Sequence, residues 1–153
     1  MSTKTLRYFF ILNIFLLSGT LSCNKERNLV PVTSINITVF DVESDPRYSN
    51  LRIRGNSIKL ISPDCLGYNC NGVILFRLKN EQAYDDYKAY DLTCTFEANS
   101  CAMEIDTSFS DLLTCPCCGS VFNLEGGYME KGPARFPLRE FQCDFFEGDL
   151  RIY

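Results

Sequence analysis

Cys115-Pro116-Cys117-Cys118-Gly119-Ser120-Val121-Phe122 opens the stretch that decides the fold, and Gly132-Pro133-Ala134-Arg135-Phe136-Pro137-Leu138 closes it. Three cysteines fall within four positions, and a Gly-Ser turn follows them. Gly126-Gly127 and then the Gly132-Pro133 loop turn the chain again. Cysteines grouped at a tight turn do one of two jobs. They hold a metal or cluster, or they staple a loop with disulfides.

The stretch resembles the second half of a Rieske iron–sulfur domain, in which CPCHGS is followed by GPA-x-x-PL. The first half of that pattern, CTH-x-x-C, is matched by Cys94-Thr95-Phe96 with Cys101 following. Eighteen residues separate Phe96 from Cys115, a spacing similar to the family's. The resemblance runs from Ile58 to Tyr153. It implies an all-β fold, a Rieske-like antiparallel β-sandwich or barrel with two cysteine loops. A Rieske 2Fe–2S centre takes two His on one iron and two Cys on the other. Here Phe96 and Cys118 stand at the histidine positions, and the chain contains no histidine at all. That ligation is excluded, so the resemblance implies the fold more than electron transfer.

Two readings of the cysteines follow. In the ligand reading, Cys94, Cys115 and Cys118 hold a 2Fe–2S cluster or zinc, with Cys101, Cys117 or Cys143 as a fourth thiolate. Cys115-x-x-Cys118 is a good zinc half-site, whereas the Cys94 to Cys101 spacing is wider than a usual knuckle. In the disulfide reading, eight cysteines remain after Cys23, an even number suited to an oxidising compartment. Sequence alone cannot choose among their pairings. The Rieske resemblance implies Cys101 with Cys117 across the two loops, and Cys94 with Cys118 once the cluster is gone. Cys65 and Cys70 form a local pair, and Cys115 and Cys143 are left together by elimination. The expectation is disulfide replacement of the cluster, with no cofactor. The same resemblance implies that Ser120 hydrogen-bonds a cluster sulfur and that Gly132 and Pro133 belong to the proline-rich loop that covers the cluster. Without a cluster, Gly119 and Ser120 read as turn residues.

The N-terminus bears on the compartment. Lys4 and Arg7 form a short basic region, Tyr8 to Leu17 is apolar except for Asn13, and Ser18-Gly19-Thr20-Leu21-Ser22 leads into Cys23. Residues 1–22 read as a secretory signal peptide, too short to span a bilayer stably. Cys23 resembles the lipidated cysteine of a bacterial lipobox, although Thr20 and Leu21 depart from the usual order. The competing readings are plain secretion and an uncleaved anchor. Residues 23–31 are then a lipid-anchored tether and 32–153 the β domain. The expected location is the bacterial cell envelope, at the periplasmic or outer-membrane surface. The expected partners are the membrane and an envelope protein.

The chain carries 15 basic and 19 acidic residues, and residues 1–22 remove Lys4 and Arg7 but no acid. An acidic chain without basic clusters argues against nucleic acid. Apolar residues make up 46% of the sequence, enough for a core. Val32 to Phe40 alternates, with Ile35, Ile37 and Val39 on one face, and reads as a half-buried strand. Asp41 to Asn50 reads as a loop, Leu51 to Ile53 and Ser57 to Ile61 as short strands, and Gly72 to Leu78 as a central strand. Tyr87 to Leu92 is a further strand. Arg139 to Phe146 alternates again, Glu147-Gly148-Asp149 is a hairpin turn, and Leu150 to Tyr153 closes the sheet. No helical period is sustained, which gives an all-β sandwich or barrel. Tyr84, Tyr87, Tyr90 and Tyr128 read as packing aromatics. Asp85 and Asp86 read as solvated turn carboxylates. No nucleophile–base pair stands out and no His-based scheme is available, so an enzyme is not expected.

Overall fold

Val73-Ile74-Leu75-Phe76-Arg77 is buried at every position, as a strand is when both faces of its sheet are covered. A computed structural model of the protein describes residues 27–61, 65–96, 98 and 101–153. Residues 1–22, read above as a signal peptide, and the lipidation candidate Cys23 lie outside the described residues.

The described strands follow the order β1 (Ile37–Val39), β2 (Ser57–Leu60), β3 (Val73–Arg77), β4 (Tyr87–Asp91), β5 (Glu104–Ile105), β6 (Leu112–Thr114), β7 (Val121–Asn123), β8 (Met129–Lys131), β9 (Glu140–Phe141), β10 (Cys143–Phe146) and β11 (Asp149–Ile152). They pair antiparallel in three sheets, ordered β1-β11-β10, β2-β3-β4-β9 and β5-β6-β7-β8. The second sheet is the middle layer. Ile74, Phe76 and Tyr90 on one face pack with Leu92, Cys94, Cys101, Met103, Leu113, Cys115, Phe122 and Leu124. Val73, Leu75, Tyr87 and Ala89 on the other face pack with Val39, Leu51, Phe141, Phe145, Leu150 and Ile152. The period-two alternation of β3 and β4 therefore feeds two separate cores.

Several sequence expectations change here. Only residues 37–39 of the Val32–Phe40 run are strand, because only these find a partner, Ile37 opposite Ile152 and Val39 opposite Leu150. Leu51 and Arg52 end a 3-10 helix, Pro46–Arg52, instead of forming a strand. Asp45 caps it by accepting the Arg47 backbone N–H at 2.8 Å, and Pro46 presets the first helical φ. The Arg139–Phe146 run breaks at Gln142, whose backbone bonds Tyr153 in both directions. The break lets β9 pair with β4 while β10 pairs with β11, so one run serves two sheets. At the hairpin, Glu147 and Gly148 both have positive φ, 51° and 93°, as a two-residue primed turn requires. The packed body also begins earlier than residue 32. Val30 is fully buried, Arg139 Nε donates to its carbonyl at 2.6 Å, and Asn28 Nδ2 donates to the Pro137 carbonyl.

Asp86 is not solvated. It is fully buried, accepts the backbone N–H groups of Glu81 and Gln82, and pairs with Arg77 Nη2 at 3.2 Å. Arg77 also donates to Glu43, Asn80, the Lys79 carbonyl and the Tyr87 hydroxyl. Its guanidinium lies 4.3 Å from the centre of the Tyr87 ring. Every donor group of this buried cation is thereby used, which is what makes its burial tolerable. Asp85 does stay at the surface, paired with Lys79.

Candidate functional site

Three loops meet at the free end of the β5-β6-β7-β8 sheet. The first leaves β4 and returns into β5. Its base is zipped as a short ladder: Met103 N–H bonds the Leu92 carbonyl, Cys94 N–H bonds the Cys101 carbonyl, and Thr93 bridges Ala102. Buried Asp91 holds the base from below, accepting Thr93 N–H at 2.8 Å and Tyr68 N–H at 2.6 Å. The second loop joins β6 to β7. Cys115 N–H bonds the Ser120 carbonyl and Gly119 N–H bonds the Cys115 carbonyl, with Gly119 at a φ of 71°. The third loop follows β8 and lies directly over the second. Ser120 Oγ is fully buried and accepts Ala134 N–H at 3.1 Å. Thr95 Oγ1 in the first loop donates to the Phe136 carbonyl at 2.9 Å. A Cβ on Gly132 would sit 2.5 Å from Ser120 Cα, so only glycine permits this crossing.

The sulfurs gather where the loops meet. Cys101 and Cys117 form a disulfide across the first and second loops, with a Cα–Cα distance of 6.3 Å. Cys65 and Cys70 form a second disulfide, Cα–Cα 4.5 Å, around a short 3-10 turn that hydrogen-bonds to the base of the first loop. Cys94, Cys115, Cys118 and Cys143 remain thiols. Cys94 Sγ lies 3.6 Å from Cys118 Sγ, and Cys115 Sγ lies 3.7 Å from Cys101 Sγ. Cys94, Cys115 and Cys118 place their three sulfurs within 4.8 Å of one another. Burial pushes the Cys118 thiol up, but its hydrogen bonds with Ser120, and then with Cys115 and Cys94, together hold it below the ordinary thiol value.

Of the expected pairings, 101 with 117 and 65 with 70 are bonded, whereas the expected Cys94–Cys118 disulfide does not form and the two lie as neighbouring thiols 3.6 Å apart. The pairing of Cys115 with Cys143 does not form. Cys115 belongs to the loop-side core and Cys143 packs against the core on the other face of the middle sheet. Burial, and next the charge of Glu140, push the Cys143 thiol up to about 12. Of the four candidate ligands, three converge, while Cys101 is committed to its disulfide.

Outside the sulfurs, an open groove of about 860 Å³ runs along the loops, lined by Phe96, Met129, Pro133 and Phe136 with Leu29 and Arg27 at its margin. Phe96 is 46% exposed. The alternation rule did not single out β5 to β8, which are only two or three residues long and carry little periodic signal.

No family model matches the chain, and no curated protein matches it. Solved structures do. The cyanobacterial plasma membrane Rieske protein of Synechocystis PCC 6803 is 19% identical, with a TM-score of 0.51, and the match covers 78% of this chain and 99% of that one. The fold is Rieske-like. Two further structures are more distant. One is a chain from the complex of reduced oxygenase and oxidised ferredoxin in carbazole 1,9a-dioxygenase (18% identity, TM-score 0.49, 76% and 100% of the two chains). The other is a Sphingomonas yanoikuyae B1 ferredoxin (14%, TM-score 0.43, 65% and 86%).

The donor set of this Rieske-like domain does not fit a Rieske cluster. That cluster needs two imidazoles on one iron. Phe96 offers no lone pair, Cys118 offers a thiolate, and the chain has no histidine to substitute. Four cysteine ligands do not come together either among the described residues, because the Cys101–Cys117 bond removes two of the sulfurs nearest the three thiols.

Proposed function

We propose that this chain is a cell-envelope lipoprotein whose Rieske-like domain acts as a structural or binding module. In place of a Rieske cluster, its loops are held by the Cys101–Cys117 disulfide that the resemblance itself implies and by hydrogen bonds between them. One observation carries the reading: the histidine positions of this Rieske-like domain are Phe96 and Cys118 in a chain without histidine, while Cys101–Cys117 still bridges the two loops. Closing a loop of this length stabilises the folded state by about 3 kcal/mol. Hydrogen bonds from Thr95 to the third loop and from Ala134 to Ser120 complete the tie. The signal-like segment and Cys23 support membrane attachment, and disulfides suit an oxidising compartment. The exposed apolar groove lined by Phe96, Met129, Pro133 and Phe136 is the face we assign to an envelope protein partner.

The test is metal and sulfide analysis of protein purified from its native envelope, with peptide mapping after thiol blocking. The expected result is no iron, no acid-labile sulfide and a Cys101–Cys117 peptide. Stoichiometric iron and sulfide with visible absorption would establish a 2Fe–2S electron carrier and overturn the proposal.

A further inference from the structure

We infer that Cys94, Cys115 and Cys118 form a mononuclear binding site for a thiophilic d10 metal ion, Cu(I) or Zn(II). The inference goes beyond the structural role and does not depend on the location of the protein. It begins from a contrast among the sulfurs. Two cysteine pairs are bonded, yet these three thiols stand apart at a different spacing. Cys94 and Cys118 are 3.6 Å apart and all three sulfurs lie within 4.8 Å of each other. A metal–sulfur bond of about 2.3 Å separates the sulfurs of a tetrahedral set by about 3.8 Å, and of a trigonal set by about 4.0 Å. The thiols already stand near that separation, so the site needs only small movements to close on an ion.

The donor chemistry narrows the ion. All three donors are sulfur, and thiolates select Cu(I) and Zn(II) over Mg(II), Ca(II) or Mn(II). Ser120 Oγ is occupied by Ala134 N–H and Cys118. Three donors suit one ion and not a cluster, since a 2Fe–2S core takes four protein ligands. Three ties hold the thiols in register without any metal. The ladder at Cys94 fixes the first loop, the Cys115–Ser120 bond fixes the second, and Cys101–Cys117 joins them. Cys94 and Cys115 are buried and Cys118 is partly exposed, so an ion has a route in from the Cys118 side.

The experiment is anaerobic titration of the purified protein with Cu(I), and separately with Zn(II), each delivered from a chromophoric chelator. Mass spectrometry first confirms that Cys101–Cys117 is intact and that Cys94, Cys115 and Cys118 react as thiols with an alkylating agent. One equivalent of either ion should bind, binding should weaken at least 100-fold in Cys94→Ser and Cys118→Ser, and Cys143→Ser should bind as the parent does. X-ray absorption of the loaded parent protein should show three sulfurs on one metal, a readout independent of how the variants fold. The inference is overturned if neither ion binds stoichiometrically, if the Cys94→Ser/Cys118→Ser double variant retains binding, if fewer than three sulfurs surround the metal, or if Cys94 and Cys118 prove already joined. The iron and sulfide analysis above can fail or succeed separately from each of these results.

Discussion

At the residue scale, the crossing of the third loop over the second depends on a missing side chain. Gly132 has a φ of 107° and no room for a Cβ against Ser120, whereas Gly55, at 85°, has open space around it. Gly132→Ala should therefore destabilise by about 1–3 kcal/mol, and by more than Gly55→Ala, which shares only the backbone strain. Urea denaturation midpoints of the two variants check this. Asp86→Ala leaves Arg77 buried beside Glu43 alone among its carboxylates, and should lower stability by about 3–5 kcal/mol. Cys143 gives a pH dependence with a definite sign. Its thiol is raised in the folded state to about 12 from 9.0, so the unfolded chain ionises first as pH rises. Stability should hold up to about pH 9 and fall between there and pH 12. Tyr87, raised by burial to about 12 from 10.0, acts in the same sense. Denaturation midpoints measured across that range would show the decline, and Cys143→Ala should make it shallower.

At the element scale, β11 does more than close a sheet. It lies between β1 and β10, and Leu150 and Ile152 are fully buried in the core they share. Deleting residues 150–153 removes the strand that both neighbours bond to. Loss of a cooperative melting transition is expected, and a truncated chain that melts like the parent would contradict this placement. The elements show where sequence was readable. The apolar run Val73-Ile74-Leu75-Phe76 and the alternating Phe141 and Phe145 announced their burial directly. The 3-10 helix did not, because its signal was a single Asp-Pro cap in a run that otherwise read as loop. The switch of partner at Gln142 was equally hidden, since alternation continues unbroken through it. At the site, the cysteine spacing located the loops and the Cys101–Cys117 bridge was implied by resemblance. That Cys143 lies across the middle sheet from Cys115 was not legible, because elimination among thiols carries no information about which face of a sheet each one joins.

At the scale of the whole molecule, the two cores sit on opposite faces of one buried sheet. The sulfur-rich end belongs to one of them and the β1-β11-β10 layer to the other. Cys23→Ser should release the protein from membranes, since loss of that thiol removes every acyl chain, while leaving the Cys101–Cys117 disulfide in place. Membrane fractionation together with non-reducing peptide mapping checks both halves of that expectation. A variant that still sediments with membranes would end the lipoprotein reading.

The hydrogen bonds and the single disulfide that tie the three loops also say something about how the protein is made. Every tie that shapes the tip is supplied by the chain itself. On the proposed cluster-free reading, biogenesis of the tip turns on oxidation of the Cys101–Cys117 pair and not on delivery of iron and sulfide. Refolding in a thiol–disulfide buffer scrupulously free of iron should then regenerate the tip, and peptide mapping for Cys101–Cys117 checks this.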